Sequence, residues 1–207
     1  MASEHIYKQF DSDLEAIRAK VLEMGTLVEE QTANAVKSLL NTDIKLAEEV
    51  MKRDVQINDL EVAIDEETSL LIAKRSPAAG DLRNIMMMLK IITDLERMGD
   101  EAAKIARSTT RIFEDNRMSK PRFTEIKGMA KAVQGMIKTA LNSFARLDLS
   151  DTIDILEKDK QVDDDYRSCM RQLLTFMLED PRTISMSLES MFIAKSLERI
   201  GDHAVNI

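Results

Sequence analysis

The chain has 207 residues, is 44% hydrophobic and 32% charged, and carries a formal net charge of −8. Such an acidic chain is a poor partner for nucleic acid, and it is too apolar to be disordered. Six glycines and three prolines are too few for the many turns of a sandwich, a barrel or a series of βαβ units. The single cysteine excludes an intrachain disulfide and a cysteine-based zinc cluster. Apolar runs of about five residues are too short for membrane insertion, so we expect a cytoplasmic location.

Apolar residues recur every three or four positions, which is the period of an amphipathic helix. In the first half of the chain this pattern predicts three helices. The first helix is predicted to begin near Ser12, which opens a capping-box pattern, and residues 1–10 before it are expected to be flexible. A polar break at residues 41–43 ends it. Ser76, as N-cap, and Pro77, as first helical residue, predict the start of the third helix.

The segment 114–122 is polar, lacks a helical period and contains Pro121, so it is predicted to be a linker. The helical pattern then returns, and breaks at residues 148–150 and 180–181 divide it into three more helices. The last of these reaches Ile207 without a C-terminal signal, so we expect the second unit to be truncated at its C-terminus.

The two halves of the chain are copies of each other. A shift of 105 residues aligns Asp54 with Asp159, and a shift of 102 aligns the hexapeptide LERMGD at 95–100 with LERIGD at 197–202. Five identities in six residues indicate a duplication. The sequence therefore predicts an all-α fold of two tandem-repeated antiparallel three-helix bundles, six helices in all. The predicted bundles span residues 11–115 and 116–207.

The repeated hexapeptide carries two acidic residues that lie four positions apart on one helix face. They are Glu96 and Asp100 in the first copy and Glu198 and Asp202 in the second. Each glutamate follows a leucine of the core stripe, so it should lie at the edge of the buried face. A glycine inside each motif costs about 1 kcal/mol in a helix interior, which suggests close approach by another backbone or a ligand.

The preceding helix of each copy carries polar residues at matching distances from the proline that opens the next helix. An antiparallel hairpin would bring Asp54 and Asn58 level with the first motif, and Asp159 and Asp163 level with the second. Carboxylates without cysteine or histidine suit hard cations such as Mg²⁺, Ca²⁺, Mn²⁺ or iron. The alternative is that the arginine inside each motif neutralises the acids and that the motif serves only helix packing.

Two classes of function remain open on these features. A di-iron oxidase needs Glu-x-x-His on two helices, and neither His5 nor His203 has an acidic residue three positions before it. The sequence offers no glycine-rich phosphate loop, Ser-His-Asp set or Cys-His pair. We therefore expect a non-enzymatic binding or regulatory module. A carboxylate-bridged metal-dependent enzyme or a metal-storage bundle is the alternative.

Several motifs resemble the PhoU family of phosphate-transport regulators. These motifs are the two hexapeptides, VAIDE at 62–66, AKR before Ser76 and Pro77, and MLEDPRTI at 177–184. The resemblance implies a negative regulator of the phosphate-starvation response that modulates phosphate uptake. It also implies contacts with the ATPase subunit of the phosphate ABC transporter and with a sensor histidine kinase, and formation of a homodimer.

The resemblance further implies metal sites at the acidic positions of both copies. The ion would be divalent or trivalent: iron, magnesium, manganese, calcium or zinc. The family pattern carries over onto Glu96, Asp100, Glu198 and Asp202, together with Asp159 and Asp163 and, in the first copy, Asp54 and Asn58. Because Asn58 has no charge, the first site is expected to be the weaker.

Overall fold

The structure, a computed structural model, describes residues 2–114 and 123–207. Over these residues it contains six α-helices, one short 3₁₀ turn at Pro181–Thr183 and no strand. The helices are α1 (Ala2–Asn41), α2 (Ile44–Arg75), α3 (Ala79–Glu114), α4 (Thr124–Arg146), α5 (Thr152–Glu179) and α6 (Ile184–Asn206). The all-α prediction with six helices is confirmed. The predicted linker coincides with the end of α3 at Glu114, and residues 115–122 of it lie outside the described residues.

Each half of the chain forms its own three-helix bundle. Helices α1, α2 and α3 all pack against one another, as do α4, α5 and α6. The bundles also pack side by side, α3 against α6 and α1 against α4, and their buried side chains form one continuous apolar core. At the α1–α4 contact the two helices approach closely at Gly25, where an added Cβ atom would require the side chain of Leu141 to move.

Two predicted helix starts are wrong. Helix α1 begins at Ala2 rather than near Ser12, so residues 2–10 continue the helix instead of preceding it. The physical reason is that Phe10 is buried one turn before Leu14 and extends the apolar stripe toward the N-terminus. Ser12 therefore lies inside the helix and does not cap it.

The second wrong start is that of α3, which begins at Ala79 and not at Pro77. Ser76 is the C-cap of α2 in the left-handed conformation, with φ 46°, and its backbone N–H donates to the Ile72 carbonyl at 3.0 Å. Because Pro77 disfavours the right-handed helical conformation of the residue before it, Ser76 ends one helix rather than starting the next.

A buried carboxylate joins α3 to α6. The side chain of Glu101 lies at the interface between the bundles, where the residue is 3% exposed. Its Oε2 accepts from Ser196 Oγ at 2.8 Å, and its Oε1 lies 3.0 Å from Arg199 Nη1 and 3.0 Å from Lys104 Nζ. These partners satisfy a charge that would otherwise be costly to bury.

The duplicated position on α6 is His203, because Glu101 shifted by 102 residues falls there. His203 Nδ1 lies 2.8 Å from Asp94 Oδ1 on α3, and Asn206 Nδ2 donates to the same oxygen at 3.1 Å. Asp94 is in turn the equivalent of Ser196. The interface between the bundles is thus built twice from equivalent positions, with different chemistry on its two sides.

We predict that Glu101→Ala lowers the free energy of unfolding by about 2 kcal/mol, because it removes charge-assisted hydrogen bonds from a buried site. Urea denaturation followed by circular dichroism measures this change. Glu66→Ala, at an exposed position of α2, is the matched control and should change stability by less than about 0.5 kcal/mol. Equal losses in the two variants would contradict a structural role for Glu101.

Candidate metal sites on facing helices

The glycine of each repeated motif lies against the preceding helix. A Cβ atom on Gly99 would lie 2.9 Å from Ile57 Cδ1 and 3.3 Å from Asp54 Oδ1 of α2. In the first copy α2 and α3 therefore approach closely at Gly99, and an added Cβ atom would require the Ile57 side chain to move. A Cβ atom on Gly201 would meet Met136 Cε at 3.6 Å and Asp159 Oδ1 at 3.8 Å, which is ordinary contact. The second copy has room for alanine.

The first acidic cluster consists of Asp54, Glu61, Glu96 and Asp100 on α2 and α3. Burial raises the pKa of Glu96, and the negative charges of Asp100, Glu61 and Asp54 raise it further. Burial also raises the pKa of Asp54, against the lowering effect of Gln31. Gln31 Nε2 donates to Asp54 Oδ1 at 2.9 Å and to the Gly99 carbonyl at 3.2 Å. This amide of α1 therefore holds Asp54 beside the motif backbone.

The second acidic cluster consists of Asp159, Asp163, Glu198 and Asp202 on α5 and α6. Burial raises the pKa of Asp202, with further contributions from Glu198 and Asp159. The pKa of Asp159 is raised by burial, by Asp163 and by Glu198. The structure therefore places the four carboxylates close enough for their charges to interact.

The carboxylates meet some of the requirements of a metal site and not others. Their oxygen atoms are ligands that hard cations prefer, and each cluster spans two facing helices. Among the residues that the structure describes, however, no three Asp, Glu, His or Cys side chains form a group that could hold an ion. The carboxylates of each cluster are suitable ligands for a hard cation and lie on facing sides of two helices. To bind an ion, their side chains would have to move closer together.

Sequence reasoning missed Glu61, which lies seven residues after Asp54 and hence on the same face of α2. Asn58 lies between them and is exposed. In the second cluster, Glu198 contacts Lys195, and Asp163 Oδ2 lies 3.8 Å from Arg167 Nη2. Glu61 adds a carboxylate one helix turn from Asn58. The expectation that the first site is the weaker stays a prediction.

Comparison with known proteins identifies the family. The model of the PhoU domain matches residues 21–109 and again residues 126–207, one match in each copy. The chain belongs to the PhoU family. A Pseudomonas aeruginosa relative, a phosphate-specific transport system accessory protein PhoU homolog, is 44% identical over 99% of this chain and 84% of its own length. The Escherichia coli accessory protein PhoU is 41% identical, with the same two coverages.

Solved PhoU structures have the same fold. The crystal structure of PhoU from Pseudomonas aeruginosa superposes with a TM-score of 0.91 at 44% identity, covering 95% of this chain and 94% of that one. PhoU from Streptococcus pneumoniae gives a TM-score of 0.86 at 28% identity, covering 95% and 92%. The predicted family and the predicted helical architecture are confirmed.

We predict that Asp202→Asn raises the melting temperature at neutral pH in metal-free buffer. Because the pKa of Asp202 is raised in the folded protein, its ionisation costs stability, and the variant removes that cost. The gain should disappear as the pH falls through the raised pKa toward the ordinary value of 3.8, since the wild-type group is then protonated. Thermal unfolding across this pH range measures the difference.

Asp180→Asn is the control for this prediction and should have the opposite sign. Hydrogen bonds from Arg182 lower the pKa of Asp180, so its ionised form is favoured in the folded protein. The variant should be less stable than wild type at neutral pH, and the difference should fade as the pH falls below 3.8. Shifts of the same sign in both variants would contradict the raised pKa of Asp202 in the folded protein.

Proposed function

We propose that this PhoU-family chain is a cytoplasmic negative regulator of the phosphate-starvation response that acts by binding and not by catalysis. It couples the ATPase subunit of a phosphate ABC transporter to a sensor histidine kinase, modulates phosphate uptake and forms a homodimer. The observation that carries the proposal is the similarity over 99% of the chain to relatives named as accessory proteins of the phosphate-specific transport system.

Exposed aliphatic side chains at one end of the second bundle support a protein-binding role. Leu149 and Ile153, at the turn from α4 to α5, are 82% and 71% exposed. Leu147 and Leu156 beside them are also exposed. Grouped apolar side chains of this kind are typical of protein interfaces. No helix in the described part of the chain has the length and hydropathy of a membrane span.

We predict that deletion of the gene raises alkaline phosphatase expression in phosphate-rich medium and that a plasmid copy restores repression. The reason is that the adaptor would no longer hold the kinase inactive. Unchanged expression in the deletion strain, with transporter and kinase genes intact, would refute the proposal.

The same strains test the role of the exposed turn. A copy with Leu149→Ser and Ile153→Ser should complement less well and should recover less kinase or transporter ATPase on affinity purification. The control is Leu178→Ser, which alters a residue that is 86% exposed at the opposite end of α5. Equal complementation and recovery with all three proteins would exclude the turn as a partner surface.

We also propose that each bundle binds a divalent or trivalent cation. The first ion would be held by Glu96 and Asp100 with Asp54, Asn58 and Glu61, and the second by Glu198, Asp202, Asp159 and Asp163. The support is the oxygen-donor chemistry of both clusters and the raised pKa of Glu96 and Asp202, which is caused first by burial and then by repulsion from the neighbouring carboxylates. A bound cation would relieve that repulsion and tie the two helices of each pair together. The ion is iron, magnesium, manganese, calcium or zinc.

We predict that calorimetric titration of the EDTA-treated chain with Mn²⁺ shows two binding events. Asp100→Asn should remove or weaken the event of the first bundle, and Asp202→Asn that of the second, because each removes an anionic ligand. Asp164→Asn, on the exposed face of α5, is the control of equal charge change and should leave both events intact. Mn²⁺ binding that survives in the Asp100→Asn, Asp202→Asn double variant would refute the assignment.

A further inference from the structure

A cleft between the two bundles is lined by cationic side chains. It lies between the C-terminal half of α3 and the middle of α6, and its volume is about 340 Å³. Its cationic lining residues are Lys104, Arg107, Arg111, Lys195 and Arg199, and we call it the basic cleft. Glu101 is the one acidic residue among the described residues that line it. This concentration of positive charge stands out in a chain with a net charge of −8.

The carboxylates nearby do not neutralise the basic cleft. Lys104 and Arg199 share a single carboxylate, because both form ion pairs with Glu101. Arg111 Nη1 lies 3.4 Å from Glu189 Oε1, and Lys195 contacts Glu198. Arg107 makes no ion pair with any residue in the part of the chain that the structure describes. Four of the five cations thus form ion pairs with three carboxylates, and Asp54 and Asp202 act on Lys104, Arg107 and Lys195 from outside the lining. Because Glu101 is the only one of these carboxylates that lines the cleft with them, the lining itself carries a net positive charge.

The duplication supplies an internal comparison. A second cleft of about 450 Å³, the twin cleft, lies at the other side of the α3–α6 interface. A shift of 102 residues relates much of its lining to that of the basic cleft. The residues equivalent to Lys195, Ser196, Arg199 and Lys104 are Thr93, Asp94, Arg97 and Asn206. The twin cleft has two cations of its own, Arg97 and Lys90. Because the same helix packing is built there with Thr93 and Asn206 at the equivalent positions, packing alone does not require Lys195 and Lys104.

We infer that the basic cleft binds an oligophosphate anion, either an inorganic chain or the phosphates of a nucleotide. Arginine and lysine donate charge-assisted hydrogen bonds to phosphate oxygens, and cations on both walls can contact successive phosphate groups. Phe192, which is 57% exposed, lies at the cleft and offers a surface on which a base can stack. The volume is in the range of small-molecule sites and small for a protein segment.

Binding of such an anion would connect α3 and α6, and thereby the two bundles. This inference rests on the charges of the cleft and is independent of the regulatory function proposed above. The ion pairs of each cation decide which one can be changed without disturbing the fold. Arg107 is the residue to change first, because it is exposed and its removal leaves no buried carboxylate without a partner.

The test is calorimetric titration of the full EDTA-treated chain with inorganic triphosphate and, separately, with ATP, both without divalent metal and at low salt. One molecule should bind per chain, with affinity that falls as salt rises. Arg107→Gln should weaken binding about tenfold, because it removes one charge-assisted contact to phosphate. Arg97→Gln makes the same chemical change in the twin cleft and should leave the affinity within about twofold.

Phe192→Ala distinguishes the two sources of the anion. If the ligand is a nucleotide, this variant weakens ATP binding and leaves triphosphate binding unchanged; if it is an inorganic chain, both affinities stay as in wild type. Two results would overturn the inference. One is that neither probe binds at millimolar concentration. The other is that Arg107→Gln and Arg97→Gln weaken binding equally, which would show diffuse attraction and no site.

Discussion

The packing of α3 on α6 around Glu101 is the constraint on which the rest of the structure depends. Burying this carboxylate is tolerable only while its partners reach it, and two of them, Ser196 and Arg199, lie on α6. The contact therefore favours one register of the two helices. Both helices also carry the repeated acidic motif on a different face. The register set at Glu101 therefore fixes where the two acidic clusters lie relative to each other and which side chains line the clefts between them.

The duplication explains why the interface has two unlike sides. The equivalent of Glu101 is His203, and the equivalent of its partner Ser196 is Asp94. The carboxylate therefore comes from a different repeat position on each side, although it lies on α3 in both contacts. Each side keeps a polar contact between the bundles, which preserves the packing. The residues around that contact differ, because Lys104 and Lys195 on one side correspond to Asn206 and Thr93 on the other. A symmetric scaffold thus carries an asymmetric charge distribution.

The features that follow from helical period could be predicted from the sequence, and those that depend on packing could not. Six helices, the repeat and the pairing of Asp159 with Asp202 all follow from spacing along the chain. Glu101 follows Asp100, and its sequence context is that of a solvent-exposed acidic residue. It is buried because the second bundle packs against it. The start of α3 was missed because Ser76 suits either end of a helix, and only the backbone conformation distinguishes them.

The acidic and basic features of the first bundle act on each other. Lys104 and Arg107 line the basic cleft, and their positive charges also lower the pKa of Asp54 in the first acidic cluster, against the effect of its burial. An anion held by these two cations would weaken their effect on Asp54 and make the electrostatic potential at the first acidic cluster more negative. A cation would then bind the cluster more tightly, and by linkage it would strengthen anion binding by the same factor. Placing opposite charges one helix turn apart on α3 therefore gives the two proposed sites a direct electrostatic means of cooperation, without any change of fold.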